Sequence, residues 1–177
     1  MLNLHLGCGK VYIPGFVHID TRKFSHVDHV TSVDNLSMFA DNSVDLIYAC
    51  HLLEHFHRDR TSGVLAEWKR VLVPGGILRV AVPDFAALAK VYQDTGDLNL
   101  VLGPISGKQD YIYNTHYRVF DFESLQTLLL DVGFKGVSRY NWEETIHKDY
   151  DDYSQAYIPH MDKENGTLIS LNVEAVK

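Results

Sequence analysis

His51, Glu54 and His55 stand in the order H-x-x-E-H within the stretch "HLLEH". On a helix, the two histidines would share one face. Two imidazoles with a carboxylate between them can hold zinc and activate a water. Such a centre needs at least one further ligand. The chain has 10 histidines, including His57, His116, His147 and His160, but none completes a recognisable ligand spacing. No metal is therefore expected, and a zinc hydrolase using His51, Glu54 and His55 is the remote alternative. A second set of residues is spread more widely. Gly7, Cys8 and Gly9 form a G-x-G, Asp20 follows one short apolar run, and Asp34 with Asn35 and Leu36 follows another. Paired glycines free backbone N–H groups for a polar ligand, and an isolated carboxylate can accept from paired hydroxyls.

The elements that must position these residues can be read from periodicity. "LNLHL" alternates and stops at "GCG", as a strand meeting a tight turn does. "GFVHID" ends a second short run at Asp20, and a third covers Val27 to Val33 and ends at Asp34. "SVDLIYAC" is nearly all apolar, the signature of a strand buried on both faces. A helix is predicted from Arg60 to Leu72, with Leu65, Trp68 and Leu72 on one side and "PGG" as its stop. "ILRVAVP" is a fifth strand, and Asp84 should cap the helix "FAALAKVYQD". Residues 96–118 lose the pattern and read as a Gly- and Tyr-rich loop. Asp121 and Ser124 should cap a strong helix that Gly133 ends. "GVSRYNW" and "TLISLNVEAV" are the last strands, separated by a polar, Tyr-rich excursion at 143–166.

This alternation predicts an α/β fold. It is a Rossmann-like open sheet, mostly parallel, with helices on both faces in a three-layer sandwich. The last two strands lack a crossover helix and should pair antiparallel, giving the order 3-2-1-4-5-7-6. In such a sheet ligands bind at the carboxyl ends of the strands. The G-x-G, Asp20, Asp34 and Cys50–His51 all fall there.

These stretches carry a resemblance. "LNLHLGCG", "FVHID", "VDNLSMFADNSVDLIYACHLLEHF", "EWKRVLVPGGILRVAVPD" and "FESLQTLLLDVGF" look like a class I S-adenosylmethionine-dependent methyltransferase. More narrowly, the chain resembles short type 11-like methyltransferases that begin at the first strand. The resemblance implies S-adenosyl-L-methionine as cofactor. Leu6, Gly7, Cys8 and Gly9 would line its methionine and ribose portion. Asp20 would hold the ribose hydroxyls, and Asp34, Asn35 and Leu36 would frame the adenine. Cys50 and His51 would lie beside the sulfonium. The implied acceptor is a small molecule, with saccharide-related compounds one class that the resemblance suggests.

Two positions depart from the family pattern. His5 replaces a frequent acidic residue, and Val11 stands where a third glycine often opens a long helix. Only "KVYIPG" separates Gly9 from the second strand, so a short turn must replace that helix. Lys10 or Tyr12 could then help anchor the cofactor. Methyl transfer to a hydroxyl benefits from a base poised near neutral pH, which favours histidine. His51 is the first catalytic candidate and His116 the second.

Composition narrows the rest. With 177 residues, 46% hydrophobic and 22% charged, the chain suits one domain, 1–177, with 96–118 and 143–166 as an acceptor-site lid. A second subunit could also supply that roof, so a homodimer is an option. Two cysteines and no signal-peptide pattern point to a reduced, cytoplasmic setting. No apolar run suits membrane insertion. A net charge of −7 and a pI near 5.7 disfavour nucleic acid as partner. The competing function class is a cofactor-binding module without catalysis. A nicotinamide enzyme lacks support, because Tyr12 stands where the last glycine of G-x-G-x-x-G would be.

Overall fold

The computed structural model describes residues 1–177. β1 (Asn3–Leu6), β2 (Val17–Asp20), β3 (His29–Val30) and β4 (Val44–Cys50) come first. α1 (Arg58–Val71), β5 (Leu72–Pro83), α2 (Phe85–Thr95), α3 (Leu98–Ser106) and α4 (Phe122–Val132) follow. β6 (Lys135–Arg139), the short pair β7 (Tyr157–Ile158) and β8 (Thr167–Leu168), and β9 (Ser170–Val176) complete the chain. The main sheet has the order β3-β2-β1-β4-β5-β9-β6. β1 to β5 pair in parallel, and β9 runs antiparallel between β5 and β6. Counting only the strands of this sheet, that is the expected order 3-2-1-4-5-7-6.

Alternation along the central strands divides the core. Leu4, Leu6, Ile47, Ala49, Leu78, Val80 and Val82 join Val64, Leu65 and Trp68 of α1 and Leu125, Leu128 and Leu129 of α4 in one large cluster. The heptad-like spacing of Val64, Leu65, Trp68 and Val71 buries one side of α1 and leaves Arg58, Asp59, Arg60 and Ser62 in solvent. Trp68 is fully buried, and its Nε1 donates to the Val33 carbonyl at 2.8 Å. That bond ties α1 to the loop leaving β3. On the other side of the sheet, Leu88, Val91, Val101 and Ile169 pack α2 and α3 against the start of β9.

The capping residues act as their sequence positions imply. Asp84 accepts from the N–H groups of Ala86 and Ala87. Asp121 and Ser124 form a reciprocal capping box, and Gly133 ends α4 in the left-handed region. "PGG" is not the stop of α1: the helix ends at Val71, and Pro74–Gly76 lie inside β5. β5 starts at Leu72, and its register against β4 jumps from Leu72 to Ile77 across the bulged residues.

Three expectations change. The third strand is only His29–Val30, because the chain turns away from the sheet edge before Val33. The 96–118 segment is not all loop: Asp97 caps a nine-residue helix, α3, with Pro104 tolerated near its end. "HLLEH" is not an α-helix. Only Leu53–His55 make a 3-10 turn, and His51 lies before it with φ +47. The helical face that His51 and His55 would share in a zinc protease does not form.

Residues 7–16 contain no helix, so the crossover between β1 and β2 covers little of the sheet. Aromatic and imidazole rings cover it instead. His5 stacks on Tyr48 at 5.2 Å, and Tyr48 stacks on His147 at 3.9 Å. Tyr12 stacks on His18 at 5.0 Å. Ile13 and Phe16 pack with Leu46 and Tyr48 beside them.

Two outcomes follow from this packing. Trp68→Ala should lower unfolding stability in denaturant by about 3–5 kcal/mol, the usual cost of emptying a large aromatic site. The second concerns acid. Desolvation, with the charges of His18, His147 and His26 adding to it, holds His5 at about 3, against 6.5 in the unfolded chain. Between those values the unfolded chain takes up a proton that the folded one refuses. Thermal midpoints should fall as pH drops from about 6.5 toward 3, and His5→Phe should flatten that slope.

Candidate functional site at the strand ends

The first turn after β1 is built on two glycines in the left-handed region, with φ +63 at Gly7 and +54 at Gly9. A Cβ on Gly7 would meet Leu52 Cδ1 at 2.7 Å, so the backbone of β1's end lies directly against the segment leaving β4. Gly7 N–H bonds the Ile19 carbonyl at 2.7 Å, and Gly9 N–H bonds Asp20 Oδ2 at 2.8 Å. Asp20 is 4% exposed, and its Oδ1 accepts from the Arg22 N–H at 2.7 Å and the Arg22 Nε at 3.3 Å. The carboxylate thus locks the ends of β1 and β2 to each other. Leu6 is fully buried. Cys8 is a buried thiol, pushed up to about 12 by burial and then by the Asp20 charge.

Asp34, Asn35 and Leu36 lie in the turn beyond β3. Asp34 accepts from Ser32 Oγ and pairs with Arg60, and Asn35 accepts from the Ser37 N–H at 3.2 Å. Leu36 is fully buried in the core and presents no open face. Its N–H donates to Glu67 at 2.8 Å.

At β4's end, Cys50 aligns with Ala81, and burial keeps its thiol protonated. His51 continues the ladder through an N–H bond to the Ala81 carbonyl, then bends out of it. Its Nε2 lies 3.2 Å from Ser170 Oγ at the start of β9, and its Nδ1 lies 3.6 Å from Glu54. Desolvation, followed by the charges of His116 and His55, pushes His51 down to about 3. A neutral imidazole with so acidic a conjugate acid is a weak base at pH 7. His116 lies close to His55, ring centroids 4.8 Å apart and nearly perpendicular. Burial also lowers it.

Leu53 packs into the core. The Glu54 side chain makes no hydrogen bond at the strand–helix junction. It is fully buried, both carboxylate oxygens lack a partner, and desolvation raises it to about 8. His55 does tie the junction, with Nδ1 3.1 Å from the Thr115 carbonyl.

The two excursions meet the strand ends from different sides. In the first, Tyr117 N–H bonds the Glu54 carbonyl at 2.8 Å, and Tyr117 stacks on His57 at 3.8 Å. Tyr111 Oη accepts from Arg22 Nη1 at 3.1 Å. In the second, Asp152 accepts from Tyr48 Oη at 2.5 Å, and Tyr153 lies 5.3 Å from the His51 ring. Arg118 packs over Phe120, its guanidinium 5.0 Å from the ring centroid. It lines an open groove along α4 that holds none of the strand-end residues. Arg22 and Ser170 have no sequence signal beyond standing near strand ends, because what they touch is decided across the sheet. Gly7→Ala should cost roughly 1–2 kcal/mol from the left-handed backbone alone, before the Leu52 clash is counted. Denaturant unfolding measures it.

Comparison with known proteins agrees with the fold. The family model described as a methyltransferase domain matches residues 12–80. No curated protein is similar enough in sequence to count as a match. Among solved structures, a SAM-dependent methyltransferase from Archaeoglobus fulgidus superposes with TM-score 0.59 at 16% identity, over 99% of this chain and 85% of that one. A SAM-dependent methyltransferase from Thermotoga maritima does so with TM-score 0.59 at 16% identity, over 99% and 82%. The 1,6-didemethyltoxoflavin-N1-methyltransferase of Burkholderia thailandensis, solved with its substrate and S-adenosylhomocysteine, gives 0.61 at 16% identity, over 99% and 70%. No helix of this chain is long and apolar enough to cross a membrane. Residues 12–80 match a methyltransferase domain, and the whole chain has the Rossmann-like fold of the class I S-adenosylmethionine-dependent methyltransferases it resembles.

Proposed function

We propose that this chain binds S-adenosylmethionine across the ends of β1, β2 and β4 and directs its methyl group to a small-molecule acceptor. The observation that carries this reading is the tie between Gly9 and Asp20. Two left-handed glycines shape the turn after β1, and a nearly buried carboxylate is held rigidly beside it through the Gly9 N–H. Its Oδ2 accepts only from Gly9 and so keeps a lone pair, enough for a ribose hydroxyl, while Oδ1 is taken by the two Arg22 bonds. Gly7, Cys8 and Gly9 would line the methionine side. The turn of Asp34 and Asn35 would face the adenine, with Leu36 supporting it from the core.

When bound, the cofactor supplies a sulfonium-activated methyl group. The protein's part is to hold the acceptor in line and keep water out. The segments 96–118 and 143–166 suit that task as a lid over one domain, 1–177, since both send aromatic residues to the end of β4. Cys50 and His51 would form the floor between them. The acidity of the His51 imidazolium favours lining over proton abstraction, and His116 is the second imidazole near the same space.

Calorimetry with S-adenosylmethionine and S-adenosylhomocysteine tests the reading. Wild type should bind both, and Asp20→Ala should weaken binding by roughly tenfold or more, the worth of a charged hydrogen bond. No binding by wild type, or equal binding by Asp20→Ala, would overturn it. Turnover over a panel of saccharide and other hydroxyl, amine and thiol acceptors separates an enzyme from a module that only binds cofactor. In that assay His51→Asn should lower kcat by less than the roughly 100-fold or greater loss that follows removal of a general base.

A further inference from the structure

We propose that Glu54, His55 and His116 form a binding site for one divalent transition-metal ion such as Zn²⁺. The first ground is Glu54. A carboxyl with no exposed surface, no hydrogen-bond partner for either oxygen, and only the His51 Nδ1 at 3.6 Å facing it is costly to bury, and such groups in proteins are paired or bind metals. No arginine or lysine pairs with it among the ion pairs of the chain. The second ground is independent of the first and concerns the two imidazoles. His55 Nδ1 lies 3.1 Å from the Thr115 carbonyl, and His116 Nδ1 lies 2.9 Å from the Pro104 carbonyl. A carbonyl only accepts, so each Nδ1 carries the proton and each Nε2 keeps its lone pair. Metal-bound histidines are oriented in this way by carbonyls on their far nitrogen.

One donor atom from each of the three side chains lies within 4.8 Å of the others. Around a tetrahedral ion with bonds of about 2.0–2.1 Å, donors sit roughly 3.4 Å apart. The set therefore closes on an ion by side-chain rotation, with movements on the order of 1 Å. The backbone is already held. Tyr117 N–H on the Glu54 carbonyl and His116 N–H on the Ser106 carbonyl clamp the 107–117 strap to the turn after β4. Two imidazoles and one carboxylate suit Zn²⁺, Mn²⁺ or Fe²⁺ better than Mg²⁺ or Ca²⁺, which prefer oxygen donors alone. Three protein ligands also leave a position open for water or for an acceptor oxygen. That last role rests on the methyl-transfer reading; the ion site does not.

His51 is not part of the set. Its Nε2 is turned to Ser170, so the ligands are Glu54 and His55 with a histidine 61 residues beyond His55, not the helical pair of H-x-x-E-H.

The test is zinc binding by the full chain, measured by competition with a chromophoric chelator, and Co²⁺ binding, read from visible absorption. Wild type should take one ion per chain. Glu54→Gln and His116→Ala should each weaken Zn²⁺ binding by at least 100-fold, while His160→Ala should match wild type. Thermal unfolding with chelator present provides the second reading. Metal-free Glu54→Gln should be at least as stable as metal-free wild type, because the amide has the same shape and no charged form to bury, and should lose the stabilisation that added Zn²⁺ confers on wild type. Absence of stoichiometric binding by wild type, or undiminished binding by both variants, would overturn the site. S-adenosylhomocysteine binding to the metal-free chain is measured separately, so the two readings fail independently.

Discussion

The short link between β1 and β2 is the constraint from which much of the molecule follows. Two adjacent parallel strands normally need a crossover of a dozen or more residues, usually with a helix. Here residues 7–16 make the connection as turns. Nothing helical covers that part of the sheet, so the side chains of β1, β2 and β4 must be shielded by other means. His5, His18, Tyr48 and Tyr12 stack there, and His147 is brought in from the 143–166 excursion. The same economy pulls the glycine turn tight against Leu52 and lets one carboxylate, Asp20, join the two strand ends.

That arrangement also explains why imidazoles serve as buried polar groups on this part of the sheet, at His5, His18 and His147. An imidazole is flat enough to stack and can stay neutral when buried, at the cost of a depressed pKa. His5 and His147 each fall to about 3 through desolvation. Lysine or arginine in those places would carry an unpaired charge into the core. The cleft side behaves differently. His51, His55 and His116 gather around Glu54, a fully buried carboxyl with no hydrogen-bond partner for either oxygen. A cost of that kind at the end of a central strand is what a functional site looks like in energetic terms.

Much of the architecture was legible from local pattern. The continuous apolar run of β4, the alternation in β1, the caps Asp84, Asp121 and Ser124, and the stop at Gly133 all express rules that act within a few residues. The strand order followed because parallel strands need crossovers and the last pair had none. What failed to show locally was α3, whose Gly103 and Pro104 mask a helix held by packing Val101 against Leu88 and Val91. The third strand was read too long, because apolar spacing continues to Val33 although the chain has left the sheet to meet Trp68.

By itself the sequence determined the sheet, its order and the strand-end positions of Gly7, Gly9, Asp20 and His51, since these depend on periodicity and turn chemistry. Only the tertiary structure decided what "HLLEH" is. The string predicts a helical His pair, but β4 enters it through a left-handed His51 and spends that ring on Ser170. His55 and Glu54 then find their neighbour in His116, which reaches them because the strap after α3 hydrogen-bonds back to the turn. No local rule encodes that meeting, because it depends on a loop closing over the end of a strand 61 residues earlier in the chain, counted from His55 to His116.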